Sequence, residues 1–200
     1  MPHIAILLSR GGTMGFYDSP DNVEQYVKMA DGYDGQALIE EMRRYLAPGS
    51  TVLEIGMGPG VDLDILGRWF DATGSDTSDV FLQRYRATHP GASVLKLDAV
   101  TLETERRFDG IFSNKVLHHM NPTEQATSFR RQAEILNPRG YAFHSFWYGV
   151  EVQEFEGLLF HQHTEESIRR LVEECFQVIE LRRYAEMDAD DSLFAILKRR

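Results

Sequence analysis

Residues 52–60 read Val52-Leu53-Glu54-Ile55-Gly56-Met57-Gly58-Pro59-Gly60, an apolar run closed by an acid and then glycine at every second position. The apolar residues predict a buried strand from Thr51 to Ile55. The glycines predict a tight turn that opens a helix at Val61, with a bare backbone able to approach a ligand at the carboxyl edge of a sheet. The dinucleotide-binding fingerprint places its third glycine at position 61, where this chain has Val61. Glu54, Asp62 and Asp64 put carboxylates around the loop, the reverse of what a phosphate at a helix N-terminus requires. A nucleotide-like ligand bearing cationic groups and no phosphate suits this loop better.

Outward from the loop, short β-like runs alternate with longer helical ones. Strands are expected at Thr51 to Ile55, Asp71 to Ser75, Ser93 to Leu97, Asp109 to Ser113 and Tyr141 to Phe146. Helices are expected at Gln36 to Leu46, Val61 to Phe70, Asp79 to Thr88, Thr123 to Leu136 and Glu165 to Cys175, with Asn137-Pro138-Arg139-Gly140 as a stop and turn. Near the C-terminus, Phe176 to Tyr184 and Ser192 to Leu197 are joined by the acidic turn 187–191 without a helix, which predicts an antiparallel hairpin. The fold class is therefore α/β, a mostly parallel sheet with helices on both faces and a C-terminal antiparallel hairpin.

Two hundred residues, 42% hydrophobic, suit one compact domain. The net charge of −10 repels nucleic acid and anionic membrane, and the six adjacent arginine pairs are scattered in the manner of solvated element faces. The expected partner is a small molecule, with no nucleic acid and no membrane. The single cysteine, Cys175, implies a reducing, cytoplasmic setting. The N-terminal apolar run is too short for a signal peptide or a membrane span, so residues 1–13 read as an appendage and Met14 as an alternative start.

Asp76 lies 20 residues beyond Gly56 at a strand end, the spacing at which a carboxylate accepts hydrogen bonds from ribose hydroxyls, in NAD and S-adenosylmethionine sites alike. Asp98, in Val94-Leu95-Lys96-Leu97-Asp98-Ala99-Val100, is placed either to receive an adenine amino group or to cap the following turn. Together, VLEIGMGPG (52–60), GSDTS (74–78), LKLDAV (95–100) and FDGIFSNKVLHHM (108–120) resemble, in order and spacing, the motifs of class I S-adenosylmethionine-dependent methyltransferases, from about residue 33 onward. The NPRG turn and closing hairpin resemble that family too. The resemblance implies a Rossmann-like, seven-stranded sheet, S-adenosylmethionine as cofactor, and methyl transfer to an O, N or other nucleophilic atom. It also implies cofactor contacts at Tyr33, Glu54, Gly56, Met57, Gly58, Gly60, Asp76, Thr77, Asp98, Ala99, Asn114 and Lys115. The domain then divides into a lid or helical segment at 14–48, a cofactor core at 49–146, an acceptor-side connection at 147–166, and a final helix and hairpin at 167–200.

A sulfonium methyl is already electrophilic, so the protein mainly aligns a nucleophile and removes its proton. His119 and His118 are the candidate bases. On a helical turn adjacent side chains diverge by about 100°, which predicts that at most one faces the acceptor. His161 and His163 share one side of an extended segment, yet without a carboxylate or cysteine nearby they do not make a metal site, and no metal is expected. Phe146, Trp147 and Tyr148 read as either an acceptor-pocket wall or core. Tyr17, Tyr26 and Tyr33 stand in the segment that folds over the cofactor in similar enzymes, with Tyr33 the favoured contact. Two rival readings share the cofactor motifs: a nicotinamide-dependent reductase, which must explain Val61 and the carboxylates, and a catalytically silent module that binds S-adenosylmethionine.

Overall fold

Strand β1 (Thr51–Ile55) is buried on both faces because Val52 and Leu53 pack into different hydrophobic clusters on opposite sides of one sheet. This computed structural model describes residues 16–155 and 158–200; the expected appendage at 1–13 and the alternative start at Met14 lie outside them. The further elements are α1 (Pro20–Met29), α2 (Gln36–Met42), α3 (Val61–Leu66), β2 (Asp71–Asp76), α4 (Asp79–Thr88), β3 (Val94–Lys96), β4 (Phe108–Asn114), α5 (Pro122–Ile135), β5 (Leu136–Trp147), β6 (Val152–Phe155), β7 (Leu158–His161), α6 (Glu165–Val172), β8 (Phe176–Tyr184) and β9 (Ser192–Arg199).

The main sheet has seven strands in the order β3-β2-β1-β4-β5-β9-β8. β1 to β5 pair in parallel, and β9 pairs antiparallel with both β5 and β8. The period of two along a strand sorts the core: Leu53, Ile111, Ala142, Leu193 and Leu197 face α5 and α6, while Val52, Phe112, Phe143, Phe194 and Ile196 face α2 and α3. No helix among the described residues is long and apolar enough to cross a membrane.

Several boundaries differ from the sequence reading. α2, α3 and α6 end three or four residues early, because the last apolar residue of each run, such as Leu46 or Phe70, reaches the core from a turn. The Asn137–Gly140 turn lies within a strand: Leu136 pairs with Phe108 and Tyr141 with Gly110, so four residues bulge opposite Asp109. Arg139 supplies the left-handed φ of 68°, and Asn137 Nδ2 donates to Asp109 Oδ1 at 2.8 Å. The β6–β7 hairpin, a separate two-stranded sheet, was not expected from the sequence.

Candidate active site

The strand order reverses between β1 and β4, and the glycine turn follows β1 at that point. Gly56, Gly58 and Gly60 have φ of 68°, 48° and 90°. A Cβ at Gly56 would stand 2.7 Å from the Val116 methyls, and one at Gly60 would stand 2.3 Å from the Tyr85 ring. Gly60 therefore lets the start of α3 pack against Tyr85 of α4 behind the site, whereas Gly56, Met57, Gly58 and Pro59 line a cavity of about 520 Å³.

Carboxylates converge on this cavity. Glu54, 3% exposed, is the next-to-last residue of β1 and has Oε2 unpartnered, and burial, reinforced by Asp62 and Asp76, holds its pKa well above the usual range. Asp62 accepts from the Gly35 N–H (2.6 Å) and from Asn114 Nδ2 (3.0 Å), and burial raises its pKa despite these bonds. Asp76 accepts from the N–H groups of Gly58 and Ser78, each at 2.9 Å, and burial raises it as well. Asp64 does not join them. Two residues along a helix point about 200° apart, and Asp64 instead accepts from Tyr85 OH at 2.6 Å on the far face of α3.

At the β3 edge, Asp98 Oδ1 accepts from the N–H groups of Val100 (2.7 Å) and Thr101 (3.2 Å), so the capping reading holds for that oxygen, while Asp98, Thr77 and Ala99 also line the cavity. Over the opening, Tyr17, Tyr26 and Phe81 form an aromatic cluster with ring centroids 5.3 to 5.9 Å apart. Tyr26 is half-buried beside Glu54, Asp62 and Asp76, and Ser78 Oγ donates to the Tyr17 carbonyl at 2.6 Å. Tyr33 lines the same cavity but is 48% exposed.

The opposite end begins with Asn114, whose Oδ1 accepts from Ser145 Oγ at 2.5 Å. Lys115 has a left-handed φ of 54°, which turns its ammonium across β5. Nζ donates to the Phe146 carbonyl (2.9 Å) and Ser192 Oγ (2.6 Å), stands 3.7 Å from Glu186 and lies 3.8 Å over the Trp147 ring. Burial lowers its pKa to about 8, and Glu186 and Asp191 oppose the drop.

His118 and His119 both line the cavity, correcting the expectation that at most one would. They belong to a 3-10 turn, Leu117–His119, and their rings converge to 3.9 Å beside Phe160. Side-chain rotation overrides the divergence of the Cα–Cβ bonds. His119 Nδ1 donates to the Leu159 carbonyl at 2.8 Å, while neither nitrogen of His118 has a partner. Desolvation lowers both pKa values.

His161 and His163 do share a side, with rings stacked at 4.7 Å. His163 Nε2 accepts from Gln125 and Nδ1 donates to Ser167 Oγ, so its nitrogens tie α5 to α6. Of the aromatics, Phe146 is core, Trp147 lines the cavity, and Tyr148 stacks with Arg183 outside it. The sequence reading set Asp62 beside the loop and Tyr17 and Tyr26 in the covering segment without naming them as cofactor contacts, and it did not single out Phe160 or Glu186; all five line the cavity. Asp62 carried a signal, an acid in the first helical turn beside the glycines; Phe160 and Glu186 arrive from distant segments and carried none.

Residues 52–140 match the family described as "Methyltransferase domain". Trans-aconitate 2-methyltransferase of Methylobacterium nodulans is 33% identical over 119 residues, 58% of this chain and 45% of that protein, so the chain spans under half the length of this curated relative. Among solved structures, 1,6-didemethyltoxoflavin-N1-methyltransferase of Burkholderia thailandensis, with 1,6-didemethyltoxoflavin and S-adenosylhomocysteine bound, has a TM-score of 0.75 at 20% identity, covering 90% of this chain and 85% of that one. The N-methyltransferase NodS of Bradyrhizobium japonicum, in complex with S-adenosylhomocysteine, has a TM-score of 0.70 at 18% identity, covering 92% and 99%. The matched segment runs from β1 to the β5 bulge, so over residues 52–140 the chain is similar in sequence to a methyltransferase domain, and over most of its length it shares the fold of these solved methyltransferases.

Proposed function

We propose that the protein consumes S-adenosylmethionine and transfers its methyl group to a nucleophilic atom of a small acceptor. The observation that carries this reading is the buried, unpartnered Glu54 carboxyl beside Asp62 and Asp76 in one cavity. Such a set disfavours a pyrophosphate and fits a ligand with an ammonium and a sulfonium. The N–H bonds of Asp76 leave each of its oxygens a further lone pair for a ribose hydroxyl. Thr77, Asp98 and Ala99 would surround the adenine. Glu54, the backbone of Gly56 to Gly58, Asp62 and Asn114 would hold the methionyl end, and residues 14–48 would act as the lid, with Tyr17 and Tyr26 added to Tyr33 as contacts.

The acceptor would enter beside His118 and His119, in the end of the cavity bounded by the 147–166 connection, with a histidine taking its proton. Carrying over the acceptor named for the curated relative, the polycarboxylate trans-aconitate, is disfavoured by the acidic lining. The free thiol of Cys175 supports a reducing, cytoplasmic setting.

Calorimetric titration with S-adenosylmethionine, S-adenosylhomocysteine and NADH tests the reading, with Asp76→Ala as control. Micromolar binding of the first two, weakened about 10- to 100-fold in the variant, is expected from the loss of hydrogen bonds to a charged group. Binding of NADH alone would restore the reductase. Cofactor binding with no turnover across acceptor panels would favour the silent module.

A further inference from the structure

The charged groups at the acceptor end of the cavity are already engaged, and this deepens the methyltransferase reading, on which it rests, by defining the acceptor. Lys115 Nζ donates to the Phe146 carbonyl and to Ser192 Oγ and is ion-paired with Glu186 at 3.7 Å. Glu186 is shared between Lys115 and the Tyr184 hydroxyl (2.7 Å), and Glu124 accepts from the Asn121 N–H (2.9 Å). The remaining charged lining groups, Glu54, Asp62, Asp76 and Asp98, are all acidic. A carboxylate acceptor would therefore meet a cation already paired with Glu186, in a cavity lined otherwise by acids. An ammonium acceptor would find, at this end, only carboxylates already bonded.

Hydrogen-bonding capacity that is still unused lies on the imidazoles. Among the described residues that line this end of the cavity, the buried side-chain atoms without a partner are Nδ1 and Nε2 of His118, which is 2% exposed. His119, by donating from Nδ1, keeps the Nε2 lone pair. A neutral ring pair of this kind offers an N–H donor and accepting lone pairs, and a buried polar group left unmatched costs roughly 1–3 kcal/mol. Phe160, packed on both imidazoles, and Trp147 supply flat apolar walls.

We infer that the acceptor is an uncharged planar compound that carries an N–H or O–H next to a hydrogen-bond acceptor, as in a lactam, read by the His118–His119 pair and methylated on that nitrogen or oxygen. The proton of the N–H or O–H passes to His119 Nε2 as the new bond to the methyl carbon forms. The carbon–sulfur bond of the donor breaks with its electron pair staying on sulfur, and the imidazolium returns its proton to water.

Three single-ring probes at millimolar concentration test this, titrated near neutral pH into protein saturated with S-adenosylhomocysteine: 2-pyridone, benzoate and benzylamine. Labelled methyl transfer from S-adenosylmethionine to the same three is followed in parallel. The neutral lactam is expected to bind at least about tenfold more tightly than either charged probe and to take the label. His118→Phe, which keeps a ring against Phe160, is expected to weaken 2-pyridone by about tenfold while S-adenosylhomocysteine stays within about threefold. Preference for benzoate or benzylamine, equal binding of all three, or binding of none overturns the inference while the cofactor still binds. Failure of S-adenosylhomocysteine itself to bind removes the methyltransferase reading and the inference with it.

Discussion

Glu54 shows how much a single side chain couples binding to protons. The folded protein keeps a proton on this buried carboxyl that the unfolded chain releases near the ordinary value of 4.5. Its contribution to stability is therefore full below that value and declines as pH rises toward the raised folded pKa. A cation arriving beside it reverses the preference, so cofactor binding should expel a proton and tighten with pH across the same window. Glu54→Gln is expected to reduce the buffer dependence of the calorimetric enthalpy and to weaken S-adenosylhomocysteine by about 10- to 100-fold, while steepening the fall in apo-protein melting temperature as pH drops, because it removes a contribution that opposes the buried histidines. Gly60→Ala tests a different residue-scale demand. A left-handed backbone and a Cβ 2.3 Å from Tyr85 should together cost about 2–4 kcal/mol, read from the denaturant midpoint. Gly56 and Asp76 were legible in the sequence because each sits where a strand must end. The direction of Lys115 was not, since its positive φ is set by β4 and β5 and by no local signal.

At the scale of elements, α1 is fastened over the cavity by aromatic contacts and by a backbone tie just beyond its end. α1 presents Tyr26 to Tyr17 and Phe81, and the chain that follows is tied to α3 through the Gly35 N–H and Asp62. Bound S-adenosylhomocysteine is expected to slow protease cleavage within 16–35 several-fold in the wild type. Asp62→Ala should reduce that protection, since it releases both Gly35 and Asn114; equal cleavage with and without ligand would count against a lid. The sequence announced α4 and β8 to the residue because caps, periodicity and turn signals agree there. It concealed the β6–β7 hairpin, whose four-residue strands lack clean alternation and whose pairing is needed before Leu158 and Phe160 reach the cavity.

Over the whole molecule, buried histidines set the acid limit. His144 accepts from Ser113 Oγ and donates to Gln132 Oε1, and burial depresses its pKa to about 3; burial and the His161 charge bring His163 to about 4. Depressed values mean that the unfolded chain takes up protons first. Stability present above the ordinary value of 6.5 is thus lost as pH falls, by about 1.4 kcal/mol per unit for each such group until its folded pKa is reached. A fall in melting temperature from pH 7 to 5 is expected, and a flat profile would contradict it. The strand set and its closing hairpin could be read from alternating patterns, but the strand order could not, because which strands meet depends on packing between segments far apart in the chain. That order has a consequence in time. β9 is last among the strands yet lies inside the sheet, so β8 is made while its only neighbour is missing and the edge of β5 stands open. During synthesis β8 is free to meet that edge before β9 exists, and its release to admit β9 is expected as a slow phase that refolding of the whole chain lacks. Glu186 and Ser192 arrive only with the turn after β8 and with β9, so the Lys115 ammonium stays without these two partners until the sheet closes.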